Sequence, residues 1–324
     1  MNALFNKLTL FIAIATLLTG CEDEPYQVPE APGGLQNDVI KRSIGPNMVG
    51  EFIEFAYAMA NKDAQLAEAT VEASISGAEG TWLEHRSYHT DGGGNDIGIP
   101  IGSPAVTTGN QTTVSFSTDT NAATLRYYYR VPEAARGQTV SFTFRVTDRS
   151  GRTVSYDAGP YQVSRMDMAL DLVVSDTESY ISIEDMAIYS AEEAAAVPDK
   201  IDLVYLYRTI PNIAFGHAIV SPASDETYRP DVALPAGVNN STKVQKAWNI
   251  RDRQLARLQF GVFVDDVDFQ TLDLSNAPNY AVNLREEAGL WVETQDGRYR
   301  AYIFLNKLDN SVGNATISIK RYVL

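Results

Sequence analysis

The chain of 324 residues carries 26 basic and 41 acidic side chains, a formal charge of −15, with 44% hydrophobic and 21% charged residues. That balance suits two globular domains with real cores. It speaks against nucleic acid, whose phosphates need a basic footprint, and against docking on anionic lipid headgroups.

Lys7 precedes an apolar run over residues 8–18. The run is too short to cross a bilayer as a helix and has the length of a signal h-region. It ends in Leu18, Thr19, Gly20 and Cys21, the order of a bacterial lipobox. Small residues let a signal peptidase reach the backbone between Gly20 and Cys21. Cys21 carries the only thiol of the chain, the group able to take a thioether-linked diacylglycerol. Two or three acyl chains, at about 0.8 kcal/mol per buried methylene, make such an attachment effectively permanent. Residues 1–20 are therefore expected to be a lipoprotein signal peptide, with Cys21 anchoring the mature chain to a membrane. Cys21→Ala is expected to move the protein into the soluble fraction on membrane fractionation. A mature N-terminus without acyl mass would contradict the anchor. With one cysteine, no disulfide can staple the chain.

Residues 22–38 open with Glu22, Asp23 and Glu24 and continue with Pro25, Pro29, Pro32, Gly33 and Gly34. The composition predicts a proline-stiffened, disordered tether reaching about 50 Å at roughly 3.1 Å per residue. The acid cluster is either solvated linker charge or a surface-export signal. In the second sense it resembles the sorting signal of Bacteroidota lipoproteins.

Residues 39–163 form the first predicted domain. Leu125, Tyr127, Tyr129 and Val131 alternate with Arg126, Tyr128 and Arg130, and Val140, Phe142, Phe144 and Val146 alternate with polar residues. Period-two patterning with one polar face means antiparallel sheet over a core. Ser150-Gly151 marks a hairpin, and Gly159-Pro160 is expected to close the last strand. Five to seven such strands predict an immunoglobulin-like β-sandwich, from pattern alone, since the disulfide and its tryptophan are missing. His85 and His89 lie four apart, which in a strand spans roughly 13 Å and does not suit one metal ion. The stretch from Asp91 through three glycines to Asn95 and Asp96 resembles one unit of a calcium-binding repeat. Without further copies a hairpin tip fits it better.

Residues 164–324 form the second, an α+β, mostly β domain with two or three short helices. Ser190 and Glu193 make a capping box and Pro198 ends that helix. The stretch KIDLVYLYR, residues 200–208, is apolar on both faces and predicts a central strand covered on both sides. Residues 248–259 are ambiguous between helix and loop. Asp296-Gly297 is the strongest hairpin signal, and residues 315–323 are the closing strand.

That stretch, with ARLQFGVFVDDVDFQTLDLSNAPNYAVNL, DGRYRAYIFLNKL and AATLRYYYRVPEAARGQTVSFTF, resembles a family of two-domain Bacteroidota surface lipoproteins built on a domain of unknown function. The resemblance implies an outer-membrane, lipid-anchored location on the extracellular face and an association with glycan-utilisation systems. It implies no catalytic residues and no cofactor.

Chemistry is sparse. There are three histidines and no Gly-x-Ser-x-Gly elbow. Asp265, Asp266 and Asp268 are the one dense acid cluster. Their spacing fails an EF-hand, so they are either a helix cap or a different cation site. Aromatic faces bind sugar rings. Tyr128, beside Arg126 and Arg130 on a polar strand face, and Trp248 are the ligand-binding candidates, set against the usual role of such residues in cores. The expected function is a non-catalytic module for glycan capture, a partner to glycans or outer-membrane uptake proteins. The alternatives are a protein-binding or adhesive module and a glycoside hydrolase working through two carboxylates.

Overall fold

Alternating side chains fold each half of the chain into a sandwich. The computed structural model describes residues 33–324; the leader, Gly20, Cys21 and most of the tether lie outside them. The first half contributes β1 (Leu35–Lys41), β2 (Phe52–Asn61), β3 (Leu66–Ala73), β4 (Trp82–Leu83), β5 (Arg86–Thr90), β6 (Asp96–Pro100), β7 (Val106–Thr108), β8 (Gln111–Ser115), β9 (Ala122–Arg130), β10 (Thr139–Asp148) and β11 (Thr153–Gln162). One antiparallel sheet has the order β1-β2-β9-β4, the other β11-β10-β3-β8-β7. Phe55, Tyr57, Tyr127 and Tyr129 meet Phe142 and Phe144 between them. Centroid distances such as 5.1 Å for Tyr57–Phe144 and 4.9 Å for Tyr129–Phe142 reflect edge-on ring packing. Burying each ring contributes about 1.5–3 kcal/mol.

Two expectations for this half need correction. The folded chain starts earlier than Val39: Leu35 and Val39 both turn to the core, and β1 pairs with β2 from Leu35 onward. Gly159-Pro160 sits inside β11 rather than closing it. β11 is an edge strand, so a proline lacking an N–H forfeits no ladder bond there. The pairing slips beside it, between Val140 and Phe142.

The second half adds β12 (Met166–Val174), β13 (Glu178–Ser182), β14 (Ala187–Ser190), β15 (Leu203–Ile210), β16 (Ile213–Val220), β17 (Lys243–Ala247), β18 (Tyr280–Leu284), β19 (Gly289–Glu293), β20 (Tyr299–Asp309) and β21 (Asn314–Val323). They form antiparallel sheets of order β12-β21-β20-β19-β17 and β14-β13-β15-β16-β18. Leu203, Tyr205, Ile303, Leu305 and Ile317 belong to the core between them. Three short helices complete the half: α1 (Ala191–Ala196), α2 (Arg253–Ala256) and α3 (Asp266–Thr271). Ser190 and Glu193 cap α1 reciprocally, as expected.

Both outer faces of this second sandwich are also covered. Val204, Leu206 and Val220 pack with Ala194 of α1, while Trp291, Tyr302 and Phe304 pack with Leu255 of α2 and Phe269 of α3. This is why residues 200–208 are apolar on both sides. Only residues 253–256 of the ambiguous stretch turn helical. There Asp252 caps α2 through Gln254 N and Leu255 N, at 3.0 and 2.9 Å. Its other oxygen receives Val264 N at 2.7 Å and the Lys320 ammonium at 2.6 Å. Both side chains of that ion pair are fully buried.

Residues 35–324 pack as one compact unit. Met48, from the first half, is buried in the core beneath α2 and α3. Ser164 N donates to Asn47 O at 2.8 Å, Arg136 pairs with Asp167 at 2.7 Å, and Asp266 receives Arg165 N at 3.2 Å. Among the described residues no helix is long and apolar enough to cross a membrane.

Candidate functional site

Register builds a distinctive face on the first sandwich. In β2 the residues Ile53, Phe55, Tyr57 and Met59 are buried, which leaves Phe52, Glu54, Ala56, Ala58 and Ala60 on the outer side. In β9 the outer residues are Thr124, Arg126, Tyr128 and Arg130. Pairing sets Glu54 opposite Tyr128, Ala56 opposite Arg126, Ala58 opposite Thr124 and Ala60 opposite Ala122. On the far side β1 places Ile40 beside Ala56 and Asp38 beside Ala58.

β4 completes the aromatic end. Trp82 pairs with Tyr128, and their rings stack at 4.3 Å with planes 18° apart. Phe52 meets Trp82 edge-on at 5.4 Å. The β5–β6 hairpin stands beside β9: Arg126 bonds Asp96 at 3.0 Å and lies 5.4 Å from the Tyr88 ring centroid. Ser87 Oγ accepts from Thr124 N at 3.1 Å. Between hairpin and β1 runs an open trough of about 370 Å³ whose lining includes Ala58, Ala60, Ala122, Asp38, Ser87 and Thr124. Burial, then the nearby Glu54 carboxylate, raise the Tyr128 phenol above its ordinary value, so it stays protonated and able to donate.

The structure thus brings Arg126, Tyr128 and Arg130 to one face. Arg126 is committed to Asp96, and Arg130 donates to the carbonyls of Gly50 and Glu79 at 3.2 and 3.4 Å. Trp248 does not join them. It follows β17 in the second half, about half exposed, with the Lys246 ammonium 5.9 Å from its ring. Sequence reasoning missed Trp82, because a two-residue strand has no alternation to detect. It also missed the alanine floor, although the outward alternation of β2 was available.

The acid cluster resolves into separate tasks. Asp265 caps α3, accepting from Val267 N at 2.9 Å, while Asp268 reaches back to Asp265 N at 2.9 Å. Asp266 instead binds Ser164 and Arg165 across the junction. Among the described residues no group of three or more His, Cys, Asp or Glu is placed to hold a metal ion. His85 lies 3.3 Å from Glu84, and His89 pairs across the hairpin with Ile97. Asp91 accepts the amides of Gly93 and Asn95 at 2.8 Å each, a self-closed hairpin tip. His217 is buried, 2.6 Å from the Tyr205 hydroxyl and 3.1 Å from Asn310, and burial lowers its pKa.

One carboxylate is strongly perturbed. Burial pushes Asp202 up to about 7, and it accepts Ile183 N at 2.8 Å. It lines a polar notch of about 130 Å³ with Glu184, Lys200, Asp296 and Arg298. Burial alone would raise Asp296, yet hydrogen bonds from Thr294 and Arg298 hold it down to about 2. Arg298 bonds both Asp296 and Glu184. Below about pH 4 Asp202 is protonated folded and unfolded, and ionisation costs nothing. As pH rises from about 4 to 7 the unfolded chain ionises this acid while the folded chain keeps its proton, and up to about 4 kcal/mol of stability is lost by pH 7. Asp202→Asn keeps the acceptor for Ile183, so the variant is expected to gain on wild type in thermal midpoint from pH 5 to pH 8. An unchanged gap across that range would refute the assignment.

Comparison with known proteins follows the same division. Residues 32–163 match the model for a domain of unknown function, DUF4466, and residues 164–324 that for a second, DUF8576. A solved DUF4466 family protein from Parabacteroides merdae is 43% identical, with a TM-score of 0.83 over 90% of this chain and 99% of its own. The major pilin subunit of Bacillus cereus is 8% identical over 88% of this chain and 66% of its own, at a TM-score of 0.28. An Actinomyces fimbrial adhesin is 10% identical over 86% and 90%, at 0.27. The last two scores are too low to carry an argument. No curated protein matches.

Proposed function

We propose, from the premise that the chain belongs to the DUF4466 family, that it is a lipid-anchored binding module which captures glycan at the outer face of the first sandwich. The observation that carries this is the Trp82–Tyr128 stack, partly exposed on the same outer sheet face as an open, alanine-floored trough. An aromatic stack offers apolar surface to sugar C–H groups, and flanking polar side chains take up hydroxyls. The lipobox and the acidic residues after Cys21 support a place on the outer membrane, facing outward. A non-catalytic role is supported by the smallness of the notch around Asp202 and by Arg298 engaging both neighbouring carboxylates.

A second reading, protein capture, is favoured by β6. It pairs only with β5 and leaves Ile97 and Ile99 exposed. A glycan array and a turnover screen on the form starting at Glu22 separate the possibilities. Binding without turnover is expected. Turnover would make the protein a glycosidase, and silence on every sugar would leave protein capture.

A further inference from the structure

Apart from the glycan face and from β6, we infer that the seam between the two halves docks a basic, apolar segment of a partner protein. A cavity of about 450 Å³ opens there, larger than the trough on the first sandwich. Gly45, Pro46, Phe263 and Val267 supply its apolar wall. Gly45 has a φ of 88°, and a Cβ there would stand 2.5 Å from two carbons of the Phe263 ring. Glycine therefore lets the main chain of the first half lie directly on an aromatic ring of the second. The rim continues the apolar surface. Ile44 and Val262, chain neighbours of Gly45 and Phe263, are half exposed or more, as is Val267, and Phe260 of the same loop is 79% exposed. Large apolar side chains left in the open around a cavity mark a place for a partner.

Hydrogen bonding selects what enters. Asn47 Nδ2 donates to Gln162 O at 2.7 Å, and Gln162 Nε2 to Val163 O at 3.0 Å. Those bonds fix both amides and leave their oxygens without a partner among the described residues. Ser164 donates to Asp266, so the side-chain donors of the wall are all engaged. Asp265 turns one oxygen to Val267 N and Asp268 N, at 2.9 and 3.3 Å, and keeps the other.

Charge points the same way. Neither Asp265 nor Asp266 forms an ion pair among the described residues, and no lysine or arginine of that set lines the cavity. Arg253 is engaged with the Phe263 ring, 5.0 Å from its centroid. A wall of free acceptors and two carboxylates calls for a donor that carries positive charge, the ammonium of a lysine or the guanidinium of an arginine. A sugar needs donors as well as acceptors and fits it less well. Apolar neighbours of that basic residue, in the same partner segment, cover the rim. The protein's formal charge of −15 draws such a segment in.

The test is fluorescence anisotropy of labelled dodecapeptides against the form starting at Glu22. One peptide alternates leucine and lysine, one leucine and glutamate, one serine and lysine. The leucine–lysine peptide should bind, and the other two about tenfold or more weakly. Asp265→Asn keeps the helix-capping oxygen and removes the charge. With its melting temperature unchanged, it should weaken the leucine–lysine peptide about fivefold. Val267→Lys, at an exposed position, should weaken it as much. Asp63→Asn, an exposed acid beyond the end of β2 remote from Asn47, should change nothing. Silence from the leucine–lysine peptide, equal binding of either other peptide, or equal losses in Asp63→Asn and Asp265→Asn overturns the inference. So does N-acetyl-lysinamide binding as tightly as the peptide, which would make the cavity a site for a small free amine. None of these outcomes bears on glycan capture.

Discussion

Asp252→Ala is expected to lower the unfolding free energy by about 3–5 kcal/mol, because it strands a buried ammonium. Asp252 does three jobs at once. It caps α2, fastens Val264 N, and neutralises Lys320 at 2.6 Å inside a region neither side chain shares with water. With the carboxylate gone, Lys320 keeps only the Val264 carbonyl at 2.9 Å. Burial already presses its pKa down, so the variant is expected to shed the proton or open the segment over residues 252–264. Lys320→Met should cost less, since three amides still satisfy Asp252. The double variant Asp252→Ala with Lys320→Met should recover part of the loss, because no charge is left buried. Urea unfolding of the four proteins measures this. A loss below about 1 kcal/mol for Asp252→Ala, or strict additivity in the double variant, would refute the account.

Trp82→Ala is expected to cost about 2 kcal/mol or more of glycan affinity, roughly a thirtyfold loss. The indole covers one face of Tyr128 and is itself 37% exposed. Removing it takes a broad apolar surface from the outer sheet face and leaves the alanine floor of the trough intact. Stability should fall only modestly, because the stacked and edge-on contacts are worth about 0.5–1.5 kcal/mol each. Trp248→Ala is the matched control: more exposed, but in the other sandwich, it should leave affinity unchanged. Titrating the best array ligand against both variants decides it. If Trp248→Ala weakens binding and Trp82→Ala does not, the site has been assigned to the wrong face.

Local chemistry made much of this fold legible. Alternation along residues 125–131 and 140–146 yields β9 and β10, Asp296-Gly297 yields the β19–β20 hairpin, and the Ser190–Glu193 pair yields α1. What stayed hidden depends on partners far along the chain. Lys320 alternates with Ile317 and Ile319 and so looks solvent-facing, until residues 250–277 fold over that face of the sheet. Tyr128 was visible as an aromatic among arginines. Its stacking on Trp82 depends on which strands become neighbours, and composition carries no record of that. Leu35 falls in a proline- and glycine-rich context that suggested tether, yet one apolar residue in register with Asn61 extends the sheet.

The Met48 plug and the Arg136–Asp167 pair have a mechanical corollary. Two sandwiches locked at their seam behave as a single lever, not as a hinged pair of jaws. Any ligand seated on the first will not be clasped by the second, and a pull on one sandwich passes undamped to the other.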